Sequence, residues 1–209
     1  MARKSSASPR IHSYVIDHDL GFAPNPFGGW CSLACCKPDI RKHASCGDLI
    51  LGTGSKPNGI AGHLSYWMAV EDIVTFEQYW DDSRFRRKRP DLRGSLASQH
   101  GDNIYRRDAR TGGWLQVDSF HSLPGGVPKE ANILRDTHVT NRVLLGREFC
   151  YWGGTSPPAI PSNLRRFVHG TQGHKNSFDE KEKEAMRAWL ATLTQRGCIG
   201  EPANWPPVP

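Results

Sequence analysis

Residues 11–54 read IHSYVIDHDLGFAPNPFGGWCSLACCKPDIRKHASCGDLILGTG, and the changes of texture along this stretch decide the fold class. Residues 11–17 (IHSYVID) alternate apolar and polar side chains well enough for a strand. Residues 21–30 (GFAPNPFGGW) hold three glycines, two prolines and an asparagine, a mixture that no regular element tolerates. A structured loop is expected there, and long loops inside compact domains often carry function. Residues 37–46 suit a short helix with Pro38 at its first position, where a missing N–H leaves nothing unpaired. Gly47 and Asp48 then turn the chain into a second strand, 49–52.

Working outward, a polar turn at 54–59 leads to a returning strand at 63–70. Thr75 opens a helix, with Gln78 three residues later completing a capping box. Phe76, Tyr79 and Trp80 give that helix an apolar face. Further strands are expected at 103–106, 113–119, 138–145 and 148–152. In the last helix Ser177 and Glu180 read as the capping pair, Met186, Trp189, Leu190 and Leu193 as the buried stripe, and Gly197 as the stop. The fold class is therefore α+β, a mainly antiparallel sheet or small barrel with flanking helices. One domain is expected over 11–198, between a disordered basic leader (1–10) and a proline-rich tail (199–209).

A chain of 209 residues can bury a real core as one domain. No apolar run approaches the ~20 residues of a membrane span, and the leader MARKSSASPR lacks the apolar stretch of a secretory signal. The expected location is the cytoplasm, with the six cysteines reduced. A formal net charge of +6 points to an anionic partner, nucleic acid or nucleotide, although solubility alone accounts for it equally well.

The run YVIDHDLGFAPNPFGGWCSLACCKPDIRKHASCGDLILGTGS (14–55) resembles the nucleotide modification-associated domain family, type 2. In that family an aspartate, a Gly-Phe-Ala-Pro-Asn-Pro loop, a Cys-Lys-Pro and an Ile-Arg lead into a Gly-Asp strand. GDNIYRR (101–107), FCYWGG (149–154) and QGHK (172–175) are also similar to it, so the resemblance covers nearly the whole chain. It implies association with DNA-modification systems, often phage-related, and a nucleotide or modified nucleic acid as partner; it implies no particular reaction. A looser, architectural similarity is to the PUA-like group of RNA- and modified-base-binding domains (EVE, ASCH and YTH folds). It rests on the order of a helix at 40–46, Gly47-Asp48, strands at 49–54 and 63–70, and a helix at 75–80.

Several constellations carry candidate chemistry. Asp17 and Asp19 share a face if the strand continues, and close carboxylates can divide into an acid and a base or hold a divalent ion. The plainer reading is that they accept hydrogen bonds from loop amides. In the loop, Phe22, Asn25, Phe27 and Trp30 are candidate ligand contacts, with a base stacking on the aromatic rings; a hydrophobic plug fits the same residues. Lys37 and Arg41, four apart, would share a helical face and clamp a phosphate, and both match the family's positions. Cys31, Cys35, Cys36, His43 and Cys46 offer enough ligands for zinc but lack knuckle spacing, so no metal is assigned; buried core cysteines are the default. Cys36, beside Lys37 and near Arg41, is instead a candidate nucleophile. Arg84, Arg86, Arg87, Lys88 and Arg89 form a basic run suited to a nucleic-acid backbone or simply to water. Gly52–Lys56 (GTGSK) lacks the spacing of a phosphate loop. Trp67, Tyr151, Trp152, His174 and Lys175 complete the candidate pocket, His174 as an acid or base by its type.

Two functions compete, with a third behind them. The first is recognition of a modified base or nucleotide. The second is an enzyme acting on nucleotides or DNA bases, with Asp17 or Asp19 as general base and His174 or Cys36 assisting. The third is a zinc-stapled interaction protein. No cofactor is implied.

Overall fold

The computed structural model describes residues 8–171 and 173–206. Residues 1–7 of the expected leader, Gln172 and the last three residues of the tail lie outside the described residues.

The central sheet has six strands in the order β10-β1-β3-β4-β9-β11. These are β1 (Ile11–Ile16), β3 (Leu49–Gly54), β4 (Leu64–Ala69), β9 (Phe149–Tyr151), β10 (His174–Lys175) and β11 (Gly197–Cys198). β1 runs parallel to β3 and β9 parallel to β11; the other neighbours are antiparallel. A second sheet is formed by β2 (Cys31–Leu33), β8 (Val143–Gly146) and β5 (Asp72–Val74), in the order β2-β8-β5, and β6 (Tyr105–Arg107) pairs with β7 (Trp114–Gln116) as a hairpin. The fold is thus α+β with mainly antiparallel open sheets, and the small barrel is not formed.

Strand alternation divides the central sheet's two faces cleanly. Tyr14, Ile16, Ile50, Tyr66, Met68, Phe149 and Tyr151 bury one face together with Leu33 of β2, Leu144 of β8 and Ile40 of α1 (Pro38–His43). Ile11, Leu51, Trp67 and Cys150 bury the other against Met186 and Leu190 of α5 (Glu180–Thr192) and Leu164 and Phe167 of a 3-10 turn. A third cluster joins the loop after β1 to α2 (Phe76–Asp81) and the hairpin through Phe22, Cys35, Phe76, Tyr79, Phe85 and Tyr105. Gly52 allows close packing, since a Cβ there would lie 2.3 Å from the Tyr66 ring. GTGSK is thus part of the packed sheet and its turn rather than a phosphate cradle.

Two helix starts compare instructively with the sequence. α2 begins at the Thr75–Gln78 capping box, as expected. α5 is capped by Asp179 and Glu182, two residues beyond the expected Ser177–Glu180 pair, and it ends at Thr192, before Gly197. The proline-rich tail is tied to the loop after β1. Asn204 Oδ1 accepts from the Asp19 amide at 2.6 Å, Trp205 donates to the Leu20 carbonyl at 3.0 Å, and the Trp205 ring stacks on Phe27 at 5.7 Å. Two elements absent from the sequence reading matter for the site. They are β2, which leads into Cys35 and Cys36, and α4 (Glu130–Thr137), which carries Arg135 and Asp136. α3 (Leu96–Gln99) is a single turn.

Candidate active site

A cleft of about 520 Å³ opens between the end of β1, the start of α1 and the segment before α4, a size suited to a nucleotide-scale ligand. Its walls include Tyr14, Asp17, Phe22, Cys36, Lys37, Phe120, His121, Arg135 and His174.

Cys36 reaches this cleft because of its backbone. Between β2 and α1 the chain turns sharply, and Cys36 (φ 59) and Lys37 (φ 41) are both left-handed, a costly conformation for residues with a Cβ. Surrounding contacts hold them there. The Cys36 amide donates to Asp136 Oδ1 at 2.8 Å, and its carbonyl accepts from Arg41 Nε at 2.9 Å. The thiol lies 3.6 Å from His121 Nε2, and His121 Nδ1 lies 3.2 Å from Asp136 Oδ2. Cys36, His121 and Asp136 therefore stand in the order nucleophile, base and orienting carboxylate. Nδ1 also has the Arg135 guanidinium at 3.2 Å; the tautomer that completes this relay carries its proton on Nδ1, directed to Asp136, leaving the Nε2 lone pair toward the thiol.

Asp136 is buried and saturated. Besides the Cys36 amide and His121, it accepts from Tyr105 Oη at 2.9 Å and from Arg135 through both oxygens at 3.0 Å. Burial pushes its carboxyl upward. The hydrogen bonds from His121 and Arg135, together with their charges, outweigh burial and hold it below the usual carboxylate range. Arg41 backs the cluster from the interior, fully buried, donating to the carbonyls of Cys36, Arg142 (2.8 Å) and Asp136 (2.7 Å).

Burial, then the Asp136 charge, pushes the Cys36 thiol up to about 11, more than Arg135, Lys37 and Arg41 offset. The resting group is thus a thiol rather than a standing thiolate, with the His121 imidazole 3.6 Å away. Iodoacetamide alkylation of Cys36 is accordingly expected to rise about tenfold per pH unit from neutrality until the pH approaches that value. A rate already flat near pH 7 would show a thiolate–imidazolium pair instead.

Other expected residues separate into two groups. Asp17, Phe22, Lys37 and His174 line the cleft. Lys37 Nζ sits 4.7 Å from the centre of the Tyr14 ring, a cation–π contact, and burial lowers its pKa. Burial, followed by the charge of His12, likewise lowers that of His174.

The remaining residues are turned elsewhere. β1 ends at Ile16, so Asp17 and Asp19 do not share a strand face. Asp19 is buried and accepts from Tyr151 Oη and the amides of Gly21 and Ala203, the loop-holding role. Lys37 precedes α1 in a left-handed conformation and Arg41 points inward, so the two form no phosphate clamp. Asn25 accepts from Lys88 Nζ at 2.7 Å, which removes both from ligand or backbone contact. Phe27 packs on the tail, while Trp30 packs edge-on to Phe85 and under Arg84 and Arg147. Trp67, Tyr151 and Trp152 are core residues, and Lys175 is exposed on β10.

The zinc arrangement is not assembled either. Cys31 is in the core and Cys46 is exposed. Among the described residues the group able to offer three metal ligands is Cys35, His121 and Asp136, within 4.8 Å of one another. Asp136 there already accepts five hydrogen bonds from four residues, and the Arg41 and Arg135 guanidiniums lie within 3.9 Å of it, an environment that repels a cation. Sequence reasoning missed His121, Asp136, Arg135 and Tyr105.

The family model described as nucleotide modification associated domain 2 matches residues 8–207. The chain belongs to that family. The match spans every part of the site: the Cys-Lys-Pro turn that bears Cys36, the hairpin with Tyr105, and the segment with His121 and Asp136. No curated protein and no solved structure matches the chain. Membership ties it to nucleotide modification. No helix of the described residues is long and apolar enough to cross a membrane.

Proposed function

We propose that this member of the family is a thiol-dependent enzyme that transfers or removes an acyl group on a nucleotide, with Cys36 as nucleophile. The observation that carries the reading is the Cys36–His121–Asp136 relay opening into the cleft. The Cys36 sulfur attacks the acyl carbonyl carbon, and His121 Nε2 takes the thiol proton and returns it to the departing amine or alcohol. That leaves an acyl-Cys36 thioester. Water or an acceptor amine then adds to the thioester and gives a proton to His121; the C–S bond breaks, the acyl group leaves as a carboxylic acid or an amide, and the Cys36 sulfur takes the proton back from His121. Asp136 orients the imidazole and stabilises its charged form. Phe22, Phe120 and Tyr14 offer rings for a base, and Lys37 offers a cation for a phosphate. Such a thiol works in a reducing compartment, in keeping with the cytoplasm.

Recognition of a modified base is the binding half of this reaction, and the alternative is that the domain only reads. The two separate on N4-acetylcytidine and N6-acetyladenosine monophosphates. The enzyme reading expects release of the acyl group by the wild-type chain and none by Cys36→Ala. If those nucleotides shield Cys36 from iodoacetamide while no acyl group leaves, the pocket is a reader and the catalytic reading fails.

A further inference from the structure

Away from the cleft, the basic run takes on a shape that its sequence does not show. Residues Ser83–Lys88 form a 3-10 turn, and its three-residue repeat puts Phe85 and Lys88 inward together. Arg86 and Arg87 are left exposed, while Arg84 is held by Asp82 at 2.6 Å. Arg89 follows the turn and lays its guanidinium 3.9 Å from the centre of the Trp80 ring. Arg106, from the distant β6, approaches the same ring at 5.8 Å.

Cations are thus gathered from two parts of the chain around one indole. Nearby carboxylates compensate only part of that charge. Glu77 is taken by Arg107 at 2.8 Å and by Asn141 at 2.7 Å, which leaves Asp81 as the acid facing the group. Among the described residues no carboxylate lies within 4.0 Å of Arg86, Arg87, Arg89 or Arg106. Burial first, then repulsion from Arg86, with Arg106 also contributing, lowers the proton affinity of Arg89. Arg89 also donates to the Trp80 carbonyl, which fixes its place but leaves its charge uncompensated, and like charges held together without a carboxylate partner are relieved by an anion.

We propose that Arg89 and Arg106, which share the Trp80 ring, together with the exposed Arg86 and Arg87 of the adjoining turn, bind the phosphate backbone of a polynucleotide. None of the four lines the Cys36 cleft, so this is a second site, independent of the catalytic reading. A run of phosphates suits four guanidiniums spread over a surface, each a planar fork for phosphate oxygens. It also corrects the sequence expectation, which counted Arg84 and the buried Lys88 and lacked Arg106.

The test is fluorescence anisotropy of the full chain with a labelled single-stranded DNA of about twenty nucleotides, single strands of this length being long enough to cross such a patch. Four phosphate contacts predict that affinity falls about 50-fold as salt rises from about 50 to about 200 mM. The Arg86→Ala, Arg106→Ala double variant is expected to bind at least about tenfold more weakly, with a salt slope shallower by about 1.4. Cys36→Ala is expected to bind as the wild type does. Binding that ignores salt, a double variant within about twofold of the wild type, or equal competition by polyglutamate would overturn the proposal. Because acyl release from mononucleotides is measured separately, loss of one proposal leaves the other standing.

Discussion

Replacing His121 with alanine is expected to lower turnover of an acylated nucleotide by about 10²–10⁴-fold, and Cys36→Ala to abolish it, with both variants still folded. The expectation follows from which atoms each substitution removes. His121 anchors its loop through its backbone: its carbonyl accepts from Gln116 Nε2 at 3.2 Å and from Asn132 Nδ2 at 2.7 Å. Those bonds survive the loss of the ring. Asp136 keeps Tyr105, Arg135 and the Cys36 amide. What disappears is the lone pair facing the thiol. Because burial keeps Cys36 protonated, attack without that base must begin from a neutral thiol or a rare thiolate. The loss should therefore be larger near neutrality than in strong alkali, where hydroxide removes the proton. Steady-state rates at several pH values check this, with thermal unfolding as the control; a His121→Ala enzyme with near-wild-type turnover at pH 7 would contradict the assigned base.

The second large effect is on stability. Arg41→Ala is expected to destabilise the chain by about 3–5 kcal/mol, because it strips a buried cation from a buried carboxylate and leaves three carbonyls without their donor. For a chain of this size that is a fall in Tm of about 6–20 °C. Arg41→Lys is expected to recover little, since one ammonium cannot reproduce a planar fork aimed at three carbonyls. Asp136 adds a pH dependence of definite sign. Its folded pKa is depressed, so its contribution is present in full above the ordinary carboxylate range and is lost as pH falls toward the folded value. Asp136→Asn should therefore flatten the acid limb of the stability profile. Urea unfolding at a series of acidic pH values measures it, and an unchanged acid limb would place the effect elsewhere.

The parts of the fold that the sequence disclosed are those governed by local physics. β1, β3 and β4 show in strand patterning, and α2 in its Thr75–Gln78 box. α5 shows in its stripe, although Asp179 and Glu182 repeat the same capping chemistry and displaced the expected Ser177 pair. The three-residue β2 and the polar α4 carry too little periodicity to stand out, and with them went half of the site. His121 and Asp136 lie 85 and 100 residues beyond Cys36, and no local spacing can announce a triad assembled by tertiary packing. Cys36 was legible as a reactive candidate beside Lys37. The Lys37–Arg41 pairing fails, because helical spacing does not apply from Lys37, whose backbone is left-handed. Asp19, Trp67 and Tyr151 are rare residues used for packing and loop closure, and residue type alone does not separate that use from binding.

The expected function shifts in consequence. The general base proposed from the sequence was an aspartate at the end of β1. The geometry supports His121 in that role, and Asp17 becomes a wall of the cleft. Nucleotide association is common to both versions.

Intact mass spectrometry of the chain after brief exposure to N4-acetylcytidine monophosphate tests the central claim most directly. The account predicts one added acetyl group, mapped to Cys36, sensitive to hydroxylamine as a thioester must be, and absent from Cys36→Ala and His121→Ala. Turnover that proceeds in the Cys36→Ala chain, or an acetyl group carried on another residue, would contradict it.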